Sequence, residues 1–506
     1  MFVTELSLTD FRNYTEAKLE LSAGVNVFVG SNGQGKTNLV EAVEYLSTMT
    51  SHRVAATAPL IRAGCDSAIA RARVQRGLDD DRVISIELEI SVGKSNVARL
   101  NRAPVPRSRD IVGALRTVVF SPMDLVIVRG DPSDRRAWLD SLVVTRWPRM
   151  AGVKQDHDKV LKQRNALLKS MSGRSMRPAR GDEESTLEVW NEQLAMIGAE
   201  LLHARLDTLA DVLPHARAAY EGIAPVNNRI DARYKASLDL DGVASEPDVR
   251  TALTERLITA FQARRHEEIQ RGVTLVGPHR DDVELFIGDL PAKGYASHGE
   301  SWSLALALRL GGFQLVRDEG TEPVLVLDDV FAELDTLRRD RLAGAVADAE
   351  QVLITAAVGA DVPDFPSQRR FRVDAGTVSL EEGRALRDGR GATSSGQLDT
   401  GFPEVEAAAS PGSPEVEAGA SPSFPEVEAG SSPNFPEVEA GASPGSPEGE
   451  AGASPSSSGE AGASPSLPEG EAGVSPSSPE GEAGVSPSFP EVRAAASLEG
   501  PARHER

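Results

Sequence analysis

Cysteine is nearly absent from this chain of 506 residues, and the single one, Cys65, has no second thiol with which to form an internal disulfide. A long chain without disulfides fits a reducing compartment. Apolar runs are short as well. No stretch of eighteen apolar residues occurs, and Met1 to Leu21 alternates polar and apolar positions while carrying Glu5, Asp10 and Glu20, which is unlike the unbroken apolar segment of a secretory signal. The expectation is a soluble, cytoplasmic protein without a membrane partner. Net positive charge is missing too: the chain carries −22, which taken whole disfavours an anionic partner.

The charge deficit is unevenly spread. Residues 1–180 hold 28 Lys and Arg against 19 Asp and Glu, residues 181–394 hold 23 against 38, and residues 395–506 hold 3 against 19. A basic N-terminal third beside an acidic tail is the asymmetry of a protein in which one surface meets phosphate and another segment stays solvated; a solvated surface with no anionic partner gives the same count.

What is present begins with Gly30-Ser31-Asn32-Gly33-Gln34-Gly35-Lys36-Thr37, which fits the G-x-x-x-x-G-K-[ST] phosphate loop at every fixed position. The glycines let the backbone curl so that several N–H groups face one phosphate chain. Lys36 reaches the terminal phosphate oxygens, and the Thr37 hydroxyl ligates Mg²⁺. The flanks agree: Val25 to Val29 reads as a buried strand entering the loop, and Asn38 to Met49 as a helix leaving it with its positive end toward the anion. ATP and Mg²⁺ are therefore the expected ligands.

Upstream, Phe2 to Leu21 reads as a hairpin with Phe11-Arg12-Asn13-Tyr14 at the bend, where Arg12 can fold back on the nucleotide or lie on the surface. Downstream, Ala68–Gln75 and Val83–Val92 read as a second hairpin around Asp79-Asp80-Asp81, and Thr117–Phe120 as a strand ended by Ser121-Pro122. Arg53, Arg62, Arg71 and Arg73 are the candidates for phosphate contact within the basic third. From Pro132 the apolar period lengthens. Met150, Val153, His157, Val160, Leu161 and Leu168 share a helical face, Gly173 to Gly181 interrupts, and Leu187, Trp190, Leu194, Ile197 and Leu201 resume it. Two helices around a flexible tip suggest an antiparallel coiled-coil hairpin, short enough to be an arm. His157, with no second ligand type at i+4, reads as a packed histidine.

Val324 to Leu327 is a continuous apolar run ending in Asp328-Asp329, the form of a buried parallel strand that delivers carboxylates at its C-terminal edge. Asp328 is the candidate for holding Mg²⁺ through water and Asp329 for general base toward the attacking water. Before it, Ser297-His298-Gly299-Glu300-Ser301 opens a helix, with a hydroxyl and backbone N–H groups of Ser297, Gly299 and Glu300 placed to meet phosphate; an ordinary helix cap has the same form.

This motif resembles the signature of ABC-type ATPases, and Glu333-Leu334-Asp335 resembles their D-loop. In that family two heads sandwich two nucleotides, each signature serine facing the phosphate held by the other subunit, so a chain with one copy of each motif implies an ATP-dependent homodimer. Over about residues 1–385 the chain resembles the RecF family of SMC-like bacterial ATPases. Carrying that resemblance are Phe11-Arg12-Asn13-Tyr14, the phosphate loop, Ser51-His52-Arg53, Ser121-Pro122 through Arg135-Arg136 and Asp140, Gly277-Pro278-His279-Arg280-Asp281-Asp282, the signature, and Asp328-Asp329. It implies double-stranded and gapped DNA as ligand, RecO, RecR and RecA as pathway partners, and slow hydrolysis. Two family features are missing: no coupling glutamine stands at Ser121 to Met123, and Thr355 occupies the place of the usual switch histidine. An ATP-binding subunit of a membrane transporter is the alternative, disfavoured by the roughly 260 residues between Lys36 and Ser297.

The expected fold is α/β: an ABC/SMC-type ATPase head with an inserted helical, coiled-coil-like arm and a disordered acidic repeat tail. Residues 1–130 form the N-terminal half of the head, 131–270 the arm, 271–390 the C-terminal half of the head and 391–506 the tail. In the tail a Pro-Glu-Val-Glu-Ala unit or its variant recurs with a period of eleven from Pro403, losing one residue around Ser458, and is too rich in proline, glycine and serine to bury a core.

Overall fold

The computed structural model describes residues 1–54, 56–172, 181–224 and 229–381. The arm's expected tip over 173–180 and the repeat tail lie outside the described residues. Two six-stranded sheets organise the head. The first is antiparallel and begins with the expected hairpin, β1 (Phe2–Phe11) and β2 (Tyr14–Glu20). Next in the chain come β3 (Gly24–Val29), which belongs to the second sheet, and α1 (Lys36–Thr48). The first sheet then resumes with β4 (Ser67–Gly77), β5 (Asp80–Ser91), β6 (Val97–Leu100) and β7 (Ala103–Pro104), in the order β2-β1-β4-β5-β6-β7. Alternation decides its sidedness: Leu6, Leu8, Ala70, Ala72, Val74, Ile86 and Leu88 point inward onto Leu39, Val40, Val43 and Leu46 of α1.

The second sheet is assembled from distant parts of the chain. Beside β3 it uses β8 (Thr117–Phe120). After β8 the chain turns helical: α2 (Leu125–Arg129), α3 (Pro132–Arg146), α4 (Met150–Ser172) and α5 (Gly181–Ile223). A small sheet of β9 (Ile230–Lys235), β10 (Asp282–Ile287) and β11 (Leu290–Pro291) is interrupted by α6 (Val249–Arg271). A single turn α7 (Ala292–Tyr295) and α8 (His298–Asp318) lead to β12 (Val324–Asp328), α9 (Thr336–Val346), β13 (Gln351–Ala356), β14 (Arg369–Asp374) and β15 (Thr377–Leu380). The order is β15-β14-β3-β13-β12-β8, parallel except for β15.

Both faces of this sheet are covered, which explains the continuous apolar runs Val324–Leu327 of β12 and Val352–Ile354 of β13. Val324 and Val326 face α1 and the antiparallel sheet; Leu325 and Leu327 face α5 and α8. Those two helices approach so closely that a Cβ on Gly311 would lie 2.7 Å from the Ala216 backbone nitrogen, so only glycine fits there.

The expected helical hairpin exists as α4 and α5, and a third helix joins it. Leu253, Leu257 and Phe261 of α6 pack with Val160 of α4 and Leu194, Ala199 and Leu202 of α5. The far half of α5 belongs to the head, where Leu209, Val212, Ala216 and Tyr220 share a core with Trp302, Leu304 and Leu308 of α8. His157 is buried with its ring 6.0 Å from that of His279, whose imidazole burial pushes down to about 3.

The three helices also enclose a charged pair. Arg164 and Glu268 are 1% and 0% exposed and 2.7 Å apart, with Asn191 Oδ1 accepting from Arg164 Nε and Thr274 Oγ1 from its Nη1. Removing one member of such a pair leaves the other charged and dry, so Arg164→Ala should cost about 3–5 kcal/mol of stability. Denaturant unfolding measures this, and a loss below about 1 kcal/mol would mean that water reaches Glu268 in the variant. No helix among the described residues is long and apolar enough to cross a membrane.

Candidate functional site

The phosphate loop joins β3 to α1 at the C-terminal edge of the parallel sheet. The helix starts at Lys36 and ends at Thr48, slightly earlier than the sequence pattern suggests, because Gly35 at φ 115° and Met49 at φ 56° adopt left-handed conformations on either side of it. The hairpin bend holds the loop from outside. Tyr14 donates its hydroxyl to the Gly35 carbonyl at 3.1 Å, Asn13 donates to the Gln34 carbonyl at 3.0 Å, and Gln34 Oε1 accepts from the Ala375 N–H at 2.5 Å. Lys36 is 3% exposed, with Nζ 3.3 Å from the Ser31 carbonyl and 3.4 Å from Asn32 Oδ1. Its ammonium thus turns back over the loop that Gly30 and Gly33 open, where a phosphate chain would lie.

The two acidic residues ending β12 meet this loop. Thr37 Oγ1 donates to Asp328 Oδ1 at 3.0 Å, across 291 positions of sequence. Thr355, at the matching edge of β13, donates to the same oxygen at 2.6 Å and accepts the Asp329 N–H at 2.9 Å. One hydroxyl therefore fixes both acidic residues, at the position where the sequence showed only a missing histidine. Burial raises the Asp328 carboxyl above its ordinary value, the Asp329 charge adds to the push, and Thr355, His52 and Thr37 oppose it.

Asp329 itself sits at φ 51°, a strained conformation for a non-glycine residue. Its Oδ1 is buried without a hydrogen-bond partner and lies 4.0 Å from Lys36 Nζ. An orphaned carboxylate oxygen beside an ammonium, next to a threonine hydroxyl and a second carboxylate, is a donor set that fits a Mg²⁺–nucleotide. Thr37 and Asp328 would hold the cation, Lys36 the phosphate oxygens, and Asp329 is the group left free to accept a proton.

Other expected residues lie elsewhere. The Arg12 guanidinium is on α1, paired with Glu41 at 2.5 Å and donating to the Pro59 carbonyl. Glu41 is fully buried and also receives Ser51 and Arg53. Burial raises its carboxyl, but the donors from Arg12 and Ser51 and the charge of Arg53 outweigh that, so it stays below the ordinary range. His52 turns the other way. Its Nδ1 is 2.6 Å from Glu44 Oε2 and its Nε2 is 3.9 Å from Asp328 Oδ2. Burial pulls this imidazole down, and the hydrogen bond and charge of Glu44, with Asp328 and Asp124, raise it by more.

Ser297 caps α8. Its Oγ accepts the Glu300 N–H at 3.2 Å and its own N–H reaches Glu300 Oε2 at 2.9 Å, a reciprocal capping box. Gly299 faces Arg338, which pairs with Asp335 at the cap of α9, so signature and D-loop residues are neighbours. Among the described residues no hydrogen bond or ion pair joins Ser297 or Gly299 to the phosphate loop.

Three of the four arginines expected to meet phosphate are paired with acidic residues. Arg53 is bound to Asn38 and Glu41, Arg62 to Asp10 at 2.7 Å, and Arg71 to Glu87 at 2.5 Å, while Arg73 is exposed. On the outward face of the antiparallel sheet Glu87 also takes Arg99, and Lys18 lies 3.7 Å from Glu5, so signs alternate there.

Comparison with known proteins places this geometry. A family model described as the RecF/RecN/SMC N-terminal domain matches residues 2–362. The chain is 60% identical over 391 residues to the DNA replication and repair protein RecF of Cutibacterium acnes, covering 76% of this chain and 99% of that protein. It is 54% identical to the protein of the same name from Streptomyces avermitilis, over 75% of this chain and 99% of the other. Among solved structures, the recombination mediator protein RecF with ATP, of the RecFOR pathway, is similar at a TM-score of 0.67 and 29% identity, over 75% of this chain and 98% of that one.

Proposed function

The chain belongs to the RecF family of DNA replication and repair proteins, and from that premise we propose that it is a cytoplasmic, ATP-dependent DNA-binding protein acting at gapped or damaged DNA. The observation that carries the nucleotide part is the 3.0 Å contact between Thr37 and Asp328, since it unites a phosphate-loop hydroxyl with a carboxylate of β12 in a cation-ready pair. ATP with Mg²⁺ bridges two copies of the chain, slow hydrolysis assisted by Asp329 separates them, and RecO and RecR work with the DNA-bound dimer in loading RecA. The signature supports the dimer, because among the described residues Ser297 bonds to its own helix and Gly299 lies against Arg338 of α9, with neither joined to the phosphate loop of the same chain. The transporter-subunit alternative is not favoured by relatives that are DNA replication and repair proteins.

The test is binding of gapped duplex DNA with ATP, with ADP and without nucleotide. ATP should tighten binding, and equal affinity in all three would remove the ATP-dependent reading. A second measurement locates the DNA. Each phosphate neutralised by Lys or Arg contributes about −0.9 to the slope of log affinity against log salt. Replacing Arg53, Arg62, Arg71 and Arg73 together with glutamine should flatten that slope by about 0.9 for each arginine in contact. An unchanged slope would move the phosphate contact to the outer face of α4, where Lys159, Lys162 and Lys169 are exposed with no acidic residue between them.

A further inference from the structure

Asp328 has two carboxylate oxygens, and the residues of the proposed reaction account for only one. Oδ1 is held by the hydroxyls of Thr37 and Thr355. Oδ2 faces His52 Nε2 at 3.9 Å, an ion-pair distance too long for a direct hydrogen bond. The ring is held from behind: Glu44 Oε2 lies 2.6 Å from Nδ1 and also accepts the His52 backbone N–H at 3.3 Å. Glu44 is on α1, seven residues beyond Thr37, so the helix that carries the phosphate loop also fixes the imidazole. His52 is 11% exposed and, with Glu44 and Asp124, lines a cleft of about 840 Å³, so water reaches it as it would not reach a core histidine.

We infer that His52 is a positioning residue for Asp328, aiming the oxygen that Thr355 does not hold and tying that aim, through Glu44, to the phosphate-loop helix. The carboxylate is then braced from α1, from β13 and from the segment after α1. Groups that orient a metal-ligating carboxylate without touching the metal set its affinity, and their loss costs about 10–100-fold. The inference rests on the reading of this site as a Mg²⁺–nucleotide site.

The test uses full-length protein and a fluorescent ATP analogue, titrated in excess EDTA and again across a Mg²⁺ series. His52→Leu should leave the EDTA affinity within about twofold and raise the Mg²⁺ concentration for half-maximal tightening by about tenfold. His52→Gln, which keeps a donor toward Oδ2, should recover part of that loss, and Glu44→Gln should shift the Mg²⁺ curve in the same direction as His52→Leu. A packing role would instead lower the melting temperature and weaken both titrations together. That result, or a wild-type Mg²⁺ curve for a folded His52→Leu, overturns the proposal. If the wild-type chain binds no nucleotide at all, the reading of the site falls first and the inference with it.

Discussion

Lys36→Ala should lose nucleotide, and Asp329→Asn should keep it. The Lys36 ammonium is nearly dry and turned over the loop, so removing it takes away charge-assisted hydrogen bonds to phosphate worth about 1.5–3 kcal/mol each, or roughly 10–150-fold in affinity for one. Asp329→Asn preserves size and leaves the Thr37–Asp328 pair untouched, but it removes the basic group. Losing a general base slows turnover by about 10²–10⁴-fold. Binding without hydrolysis traps the ATP state, so light scattering with ATP should find dimers of Asp329→Asn and monomers of Lys36→Ala. Equal monomer fractions in the two variants would sink the assignment of Asp329.

Ser297→Arg should bind ATP normally yet fail to dimerise or hydrolyse it, because the signature of one copy is proposed to meet the phosphate held at Lys36 of the other. The same serine caps α8, so part of any loss comes from the helix, about 1 kcal/mol for a lost cap. Ser297→Asn retains capping and separates the two effects: a helix defect alone leaves Ser297→Asn intact and lowers the melting temperature of Ser297→Arg. Mixing Ser297→Arg with Lys36→Ala is sharper. A mixed dimer pairs one intact loop with one intact signature, and recovery of ATPase activity on mixing would demonstrate action between chains if the two sites fire independently. Full hydrolysis by monomeric Ser297→Arg would refute it. Because ADP lacks the group that Ser297 would meet, hydrolysis should weaken the same interface, and release from DNA should follow turnover.

The features legible in the sequence were those written in local spacing. The phosphate loop, the hairpin around Phe11-Arg12-Asn13-Tyr14 and the strand ending at Asp328 each occupy fewer than about twenty-five consecutive residues, and periodicity or a fixed motif is enough to place them. The partners of those residues were not legible, because they come from far along the chain. The sequence leaves Arg12 equally a nucleotide contact or a surface residue, and its ion pair with Glu41, 29 positions away, is not written in local spacing. The positive count over residues 1–180 was real, but a count does not say that Glu87 holds both Arg71 and Arg99. Thr355 appeared only as a missing histidine, whereas its hydroxyl ties Asp328 to Asp329. The third arm helix carried its stripe of Leu253, Leu257 and Phe261 in plain view, within a charged segment whose apolar partners lie about 50–100 residues upstream.

The 43-residue helix α5 begins in the arm and ends against α8, the helix that opens at Ser297. At 1.5 Å per residue it is about 64 Å long, so a tilt of about 5° around its head end would sweep the other end through about 5–6 Å. Such a helix would work as a lever, trading a small rotation at its head end for a large stroke at the arm. Its only proline, Pro214, lies in the half packed on α8, so a bend there would be restrained by the head and the free half would swing as a rigid rod. Closure of a nucleotide sandwich by a few ångströms would therefore be felt as displacement by anything gripping the arm.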